Sequence, residues 1–91
     1  MNDIKLFNRD GAHLKLIPTD DDLWELEVDD EHKYILEFIR VGYNKDGKMT
    51  MIDPSGGPYL SIGQRLTKDY VIDEFVDGEG APKIRLKSSV V

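Results

Sequence analysis

Hydrophobic and polar residues alternate along much of the chain, in short runs that are separated by turn-forming residues. The clearest run is LWELEV, in which Trp24, Leu26 and Val28 share one parity and Glu25 and Glu27 share the other. Alternation with a period of two predicts a half-buried strand, because successive side chains of a strand point to opposite faces. This run therefore predicts a strand with an apolar inner face and an acidic outer face.

Similar runs recur along the chain at intervals of about 8–12 residues, with Gly, Pro, Asn or Asp between them. The runs IKLF and HLKLI flank an Asp-Gly pair, which predicts a hairpin. Further strands are predicted at residues 49–52, 59–62, 70–76 and 83–87. About seven short strands with short connections predict an all-β fold, a small single-domain antiparallel barrel or sandwich with meander-like pairing.

The segment KYILEFIRVGY admits two interpretations. Asp29 or Asp30 could cap a short helix within residues 30–41, with apolar residues along one side. The segment is, however, rich in β-branched and aromatic residues, and it leads directly into an Asn-Lys-Asp-Gly-Lys turn. This composition favours a strand, with the helix as the alternative.

The inward parity of the predicted strands also predicts the hydrophobic core. Trp24 is expected in this core, although a tryptophan that pointed outward could anchor an interface. The predicted core residues are Ile4, Leu6, Leu14, Leu16, Trp24, Leu26, Val28, Ile35, Phe38, Ile39, Val41, Met51, Leu60, Ile62, Leu66, Val71, Phe75, Ile84 and Leu86.

Length and composition restrict the class of protein. A chain of 91 residues is expected to form one domain, and the absence of cysteine excludes disulfides and thiolate metal sites. Neither a signal peptide nor an apolar run of roughly 18 residues is apparent, which predicts a cytoplasmic protein. The net charge of −6 disfavours direct binding to nucleic acid or to an acidic membrane surface.

No arrangement of residues predicts catalysis, a cofactor or a metal site. None of the four serines lies in a Gly-x-Ser-x-Gly motif, and neither His13 nor His32 belongs to a motif. His32 follows three acidic residues, but sequence neighbours on a turn are not expected to converge on one point. The NKDG segment resembles part of a calcium-binding loop, yet its flanks are predicted strands and favour a hairpin. We therefore expect a protein that is not an enzyme.

The segment DPSGGP is a predicted loop with one candidate function. The backbone N–H groups of Ser55, Gly56 and Gly57 could form a concave site for a small anion, with Tyr59 and Arg65 as companions. The alternative is a tight loop in which the glycines supply positive φ.

Charge is concentrated in residues 20–31, and this segment carries the leading functional prediction. Its formal charge is −8, so the rest of the chain, whose total is −6, must carry +2. Such a concentration suits a protein partner with a basic surface, for example a nucleic-acid-binding protein, for which carboxylates could stand in for phosphates. The alternative is a solvated strand face between Asp-rich turns. The acidic residues are Asp20, Asp21, Asp22, Glu25, Glu27, Asp29, Asp30 and Glu31.

The sequence thus predicts a non-enzymatic interaction module, with an inhibitor or an accessory protein as its candidate role. The last predicted strand adds a second prediction, because Lys83, Arg85 and Lys87 alternate with apolar residues and give it a basic outer face. That face could pair with an acidic strand of the same molecule or of a second copy. The second arrangement would produce a homo-oligomer or a structural subunit of an assembly.

Overall fold

The structure, a computed structural model, describes residues 3–9, 11–52, 58–77 and 80–88. This part of the chain contains eight strands and one 3-10 helix. In chain order these elements are β1 (Ile4–Arg9), β2 (Ala12–Pro18), β3 (Trp24–Val28), the 3-10 helix (Asp30–Glu37), β4 (Arg40–Tyr43), β5 (Met49–Ile52), β6 (Pro58–Ser61), β7 (Tyr70–Val76) and β8 (Lys83–Ser88). The predicted all-β fold is therefore confirmed.

The strands form two antiparallel sheets. A five-stranded sheet, ordered β1-β2-β3-β8-β7, is curled as a half-barrel, and a second sheet has the order β4-β5-β6. Consecutive strands pair within the groups β1-β2-β3, β4-β5-β6 and β7-β8, as short connections favour. The pairing of β3 with β8, where Trp24 lies opposite Ile84, joins distant parts of the sequence.

Two of the predicted hairpins have turns that the local sequence explains. Gly11, with φ of +86°, precedes β2 and adopts a backbone conformation that glycine reaches without steric cost. Between β4 and β5, the Asn44 side-chain oxygen accepts hydrogen bonds from the backbone N–H groups of Asp46 at 2.9 Å and Lys48 at 3.0 Å. Gly47 occupies the left-handed region there, at φ +77°. The hairpin interpretation of NKDG is confirmed.

The strand prediction for KYILEFIRVGY is wrong over most of its length. The 3-10 helix occupies residues 30–37, as in the helical alternative, and a strand begins only at Arg40. A strand that continued from β3 by a hairpin would need the edge of β3 that β8 occupies, so the chain crosses instead to the second sheet. No helix in the described part of the chain is long and apolar enough to cross a membrane.

One core lies between the two sheets. Leu16, Ile72 and Ile84 of the five-stranded sheet and Met51 and Leu60 of the second sheet belong to a single buried cluster. The prediction for Phe38 is wrong, because its side chain is 50% exposed.

The parity expected for β7 is interrupted by a bulge. The register of β7 against β8 shifts between Ile72 and Glu74, so Asp73 is an extra residue on the β7 side. Ile72 is consequently buried and Phe75 packs against the same core, although their spacing is odd. Simple alternation selected Val71, which is only half-buried, and missed Ile72.

Candidate functional site

The segment of residues 20–31 is divided into three parts by β3. Asp20–Asp22 form the turn between β2 and β3, which we call the acidic turn, and Asp29–Glu31 follow the strand as a second acidic group. The five residues of β3 span roughly 16 Å, at about 3.3 Å per residue. Since charges are screened over about 8 Å at physiological ionic strength, the two groups act as separate sites.

The carboxylates on β3 itself are paired within the sheet. The Lys15 ammonium lies 3.4 Å from a carboxylate oxygen of Glu27 and 3.4 Å from one of Asp3, while the Lys83 ammonium lies 3.7 Å from Glu25. The hydrogen bond with Asp3, followed by that with Glu27, raises the pKa of Lys15. Glu25 is therefore paired with Lys83, whereas Glu27 shares the Lys15 ammonium with Asp3.

The basic outer face of β8 is neutralised in the same way. The Arg85 Nε atom donates to Glu74 at 2.6 Å, and the Lys87 ammonium lies 3.9 Å from Asp73. The hydrogen bond with Glu74 raises the pKa of Arg85, and the charges of Asp22 and Asp73 add to this at longer range. Of the two arrangements that the sequence left open for this basic strand, the structure contains the intramolecular one.

Asp29 has a structural function at the far end of β3. Its Oδ1 accepts a hydrogen bond from the backbone N–H of His13 at 2.8 Å, and its Oδ2 accepts one from His32 Nδ1 at 2.6 Å. These two bonds, the first of them the stronger influence, lower the pKa of Asp29. A single carboxylate thus joins β2 to the 3-10 helix.

Asp29, Glu31 and His32 do converge, contrary to the expectation for neighbours on a turn. Their potential ligand atoms all lie within 4.8 Å of one another. Both oxygens of Asp29 already accept hydrogen bonds, however, and its 2.6 Å contact with His32 is shorter than the roughly 3.3 Å that separates two ligands of a tetrahedral zinc ion. We therefore assign this cluster to the packing of the turn, where Asp30 also pairs with Lys33 at 3.1 Å.

The acidic turn differs from both other parts of the segment. Its three aspartates are exposed, and no ion pair within 4.0 Å joins any of them to a described residue. The turn is shaped by Thr19, whose backbone N–H donates to the Leu23 carbonyl at 2.9 Å and whose hydroxyl donates to it at 3.1 Å. Asp22 has a φ of +62°, a conformation that Asp adopts more readily than most residues. The Thr19 bonds fix the backbone of the turn, and Asp22 is also attracted to Arg85 at longer range.

Trp24 combines the two positions that the sequence left open. Its half-buried side chain packs against the core, yet it also lines a surface cleft of about 630 Å³. Its ring centroid lies 5.9 Å from that of Tyr70, with 57° between the ring planes. Sequence analysis missed Tyr70, because no local pattern links the first residue of β7 to a tryptophan at the start of β3.

The residues proposed for an anion site at the glycine loop are only partly described. Ser55, Gly56 and Gly57 lie outside the described residues. Tyr59 is buried in the core, whereas Arg65 is exposed and donates from Nη1 to the Lys68 carbonyl at 3.0 Å. These two predicted companions thus differ in their access to solvent.

Comparison with known proteins identifies no family for this chain. No protein-family model, no curated protein and no solved structure matches it. Functional inference therefore depends on the geometry of its own residues.

Proposed function

We propose that this protein is a non-enzymatic interaction module that binds a basic surface of another protein through the acidic turn, Asp20–Asp22. One observation carries this proposal. The aspartates of the turn are exposed and have no ion pair with a described residue, whereas Glu25, Glu27 and Asp29 are engaged inside the molecule. The proposed binding surface is consequently smaller than residues 20–31.

The physics of the turn supports this assignment. Three adjacent carboxylates repel one another, and that repulsion is relieved when a cationic surface approaches. Local negative charge also attracts a basic partner before contact, which raises the association rate and makes binding sensitive to salt. Within the proposed site the aspartates select a partner with positive surface charge. Contacts around them must supply the remaining affinity.

The second acidic group has a lesser part in this proposal. Asp30 is paired with Lys33, and Glu31 lies beyond the far end of β3. In this proposal Glu31 therefore contributes only to the overall negative electrostatic potential around the protein. A cytoplasmic location, a role as an inhibitor or accessory protein, and self-association stay predictions from the sequence.

A capture experiment with two charge-matched variants tests the proposal. The turn variant carries Asp20→Asn, Asp21→Asn and Asp22→Asn. The control variant carries Glu37→Gln, Asp46→Asn and Asp77→Asn, which remove the same charge from exposed positions elsewhere. Asparagine tolerates positive φ at residue 22, so both variants should fold, and circular dichroism checks this.

We expect wild type and control variant to capture the same basic protein from a cell lysate at low salt. The turn variant should lose it, and moderate salt should weaken capture by the wild type. Retention of the partner by the turn variant, equal loss from both variants, or no capture by the wild type would contradict the proposal.

A further inference from the structure

The cleft beside the acidic turn is built from both edges of the five-stranded sheet. The half-barrel brings Ile4 of edge strand β1 and Tyr70 of edge strand β7 to one opening, with Pro18 and Trp24 between them. Ile4 is buried and Trp24 packs against the core, so this part of the cleft has a fixed apolar lining. Its volume of about 630 Å³ falls within the range of roughly 300–1,000 Å³ that is typical of ligand sites.

Two aromatic rings give the cleft a specific chemistry. Trp24 is held from both sides, because it lies opposite Pro18 in β2 and opposite Ile84 in β8. Tyr70 remains 37% exposed beside it. Aromatic faces attract cations through their quadrupole, and tryptophan does so most strongly. A Trp–Tyr pair at a surface opening therefore offers aromatic faces suited to a cationic side chain.

The charged residues around the cleft also favour a cationic occupant. Asp3, Lys68 and Asp69 are the charged residues that line it. The acidic turn lies in the connection between Pro18 and Trp24, two residues that line the cleft, and its three aspartates are exposed. The lining itself thus holds two carboxylates and one ammonium group, Asp3 also pairs with Lys15, and the neighbouring acidic turn adds exposed negative charge. An anionic occupant would be repelled, and a cationic donor would form stronger hydrogen bonds with these acids than a neutral donor would.

We propose that the cleft lined by Trp24 and Tyr70 receives an arginine side chain of the partner that docks on the acidic turn. This inference rests on the proposed function and adds the chemical identity of the group that is recognised. Arginine fits better than lysine, because its planar guanidinium stacks on aromatic rings while its N–H groups reach carboxylates. The partner segment is then basic and rich in arginine.

The single tryptophan of the chain makes this proposal measurable. The probes are three short Gly/Ser peptides that are identical except for two central positions, which hold arginine, lysine or serine. Binding is followed by the anisotropy of a dye on each peptide, and occupancy of the cleft by the emission of Trp24 with unlabelled peptide.

We expect the arginine peptide to bind more tightly than the lysine peptide, to change the emission of Trp24 and to outcompete the serine peptide. Tyr70→Leu should weaken the arginine peptide roughly fivefold and remove its advantage over lysine, because the cation–π contact is lost. Tyr70→Phe keeps the ring and should bind as the wild type does. If Tyr70→Leu does not fold, the wild-type emission and the arginine–lysine difference still decide the question.

The outcomes separate this inference from the proposed function. Equal binding of arginine and lysine peptides without a change in Trp24 emission overturns the arginine site, and so does absence of arginine-peptide binding at low salt. If the arginine and lysine peptides bind equally, and both lose binding to the turn variant but not to the control variant, the acidic turn keeps its proposed function. Tight binding of the serine peptide to the cleft would likewise overturn the arginine assignment. Arginine-peptide binding that changes Trp24 emission but is unaffected in the turn variant would instead contradict the role of the acidic turn.

Discussion

The two ends of β3 carry the same number of acidic residues and use them in different ways. At the far end, Asp29 accepts two hydrogen bonds and Asp30 forms an ion pair with Lys33. At the near end, the aspartates of the acidic turn are exposed and form no ion pair with a described residue. At the far end Asp29 joins β2 to the 3-10 helix, whereas the aspartates at the near end are exposed to solvent.

Local donors account for this difference. The chain after β3 folds back into a 3-10 helix whose His32 side chain faces Asp29, and the neighbouring strand β2 supplies the His13 N–H. The acidic turn extends past the paired ends of β2 and β3, where Thr19 satisfies backbone groups rather than carboxylates. Acid density in a sequence therefore does not identify a binding site, because the donors around each carboxylate decide its use.

The buried face of β3, between the two acidic ends, should contribute most to stability. Leu26 is 4% exposed and belongs to the core, so Leu26→Ala should lower the free energy of unfolding by about 2–5 kcal/mol. Urea denaturation of wild type and variant measures this loss. A decrease in the free energy of unfolding well under 1 kcal/mol would show that the stability of β3 does not depend on its buried face. The two ends could then not be treated as the ends of one stable strand.

Asp29→Ala should cause the next largest loss, and the loss should depend on pH. The pKa of Asp29 is lowered in the folded protein from its ordinary value of 3.8, so its contribution is complete above that value. The contribution disappears as the pH falls below 3.8 through the lower folded pKa. Urea midpoints of wild type and variant should differ at neutral pH and converge in acid. Asp30→Ala is the matched control, and an equal effect of both changes would contradict the structural role of Asp29.

Asp22 tests whether backbone conformation holds the acidic turn. Asp22→Ala should destabilise the protein by about 1 kcal/mol, because alanine is strained at a φ of +62°. Asp22→Asn removes the same charge without that strain and should leave stability nearly unchanged. If both variants lost stability equally in urea, an electrostatic role for Asp22 would replace the conformational one.

The smallest expected effect concerns the paired carboxylates of β3. Glu25→Lys and Lys83→Glu should each lower the free energy of unfolding by up to about 1 kcal/mol, and the double variant should recover part of the loss. The coupling should diminish in high salt, since both side chains are substantially exposed. A double-mutant cycle in urea checks this. Zero coupling at low salt would place Glu25 with the acidic turn as an available charge.

The predictable part of the fold is local. Alternation in LWELEV correctly placed Leu26 and Val28 inside, and the Asp-Gly and Asn-Lys-Asp-Gly-Lys turns correctly placed two hairpins. Phe38 and Ile72 could not be placed in this way. The first depends on which edge of β3 is free, and the second on a bulge that appears only when β7 is paired with β8.

The sequence by itself determined most of the strands, most of the core parity and the concentration of acid in residues 20–31, because these depend on neighbours along the chain. Only the tertiary structure decided which carboxylates are compensated. The pairing of β3 with β8 brings Lys83 to Glu25, the hairpin with β2 brings Lys15 to Glu27, and the curl of the sheet brings Tyr70 to Trp24. The physical reason is the short range of these contacts, since an ion pair or ring contact of a few ångströms forms only after distant segments have been brought together.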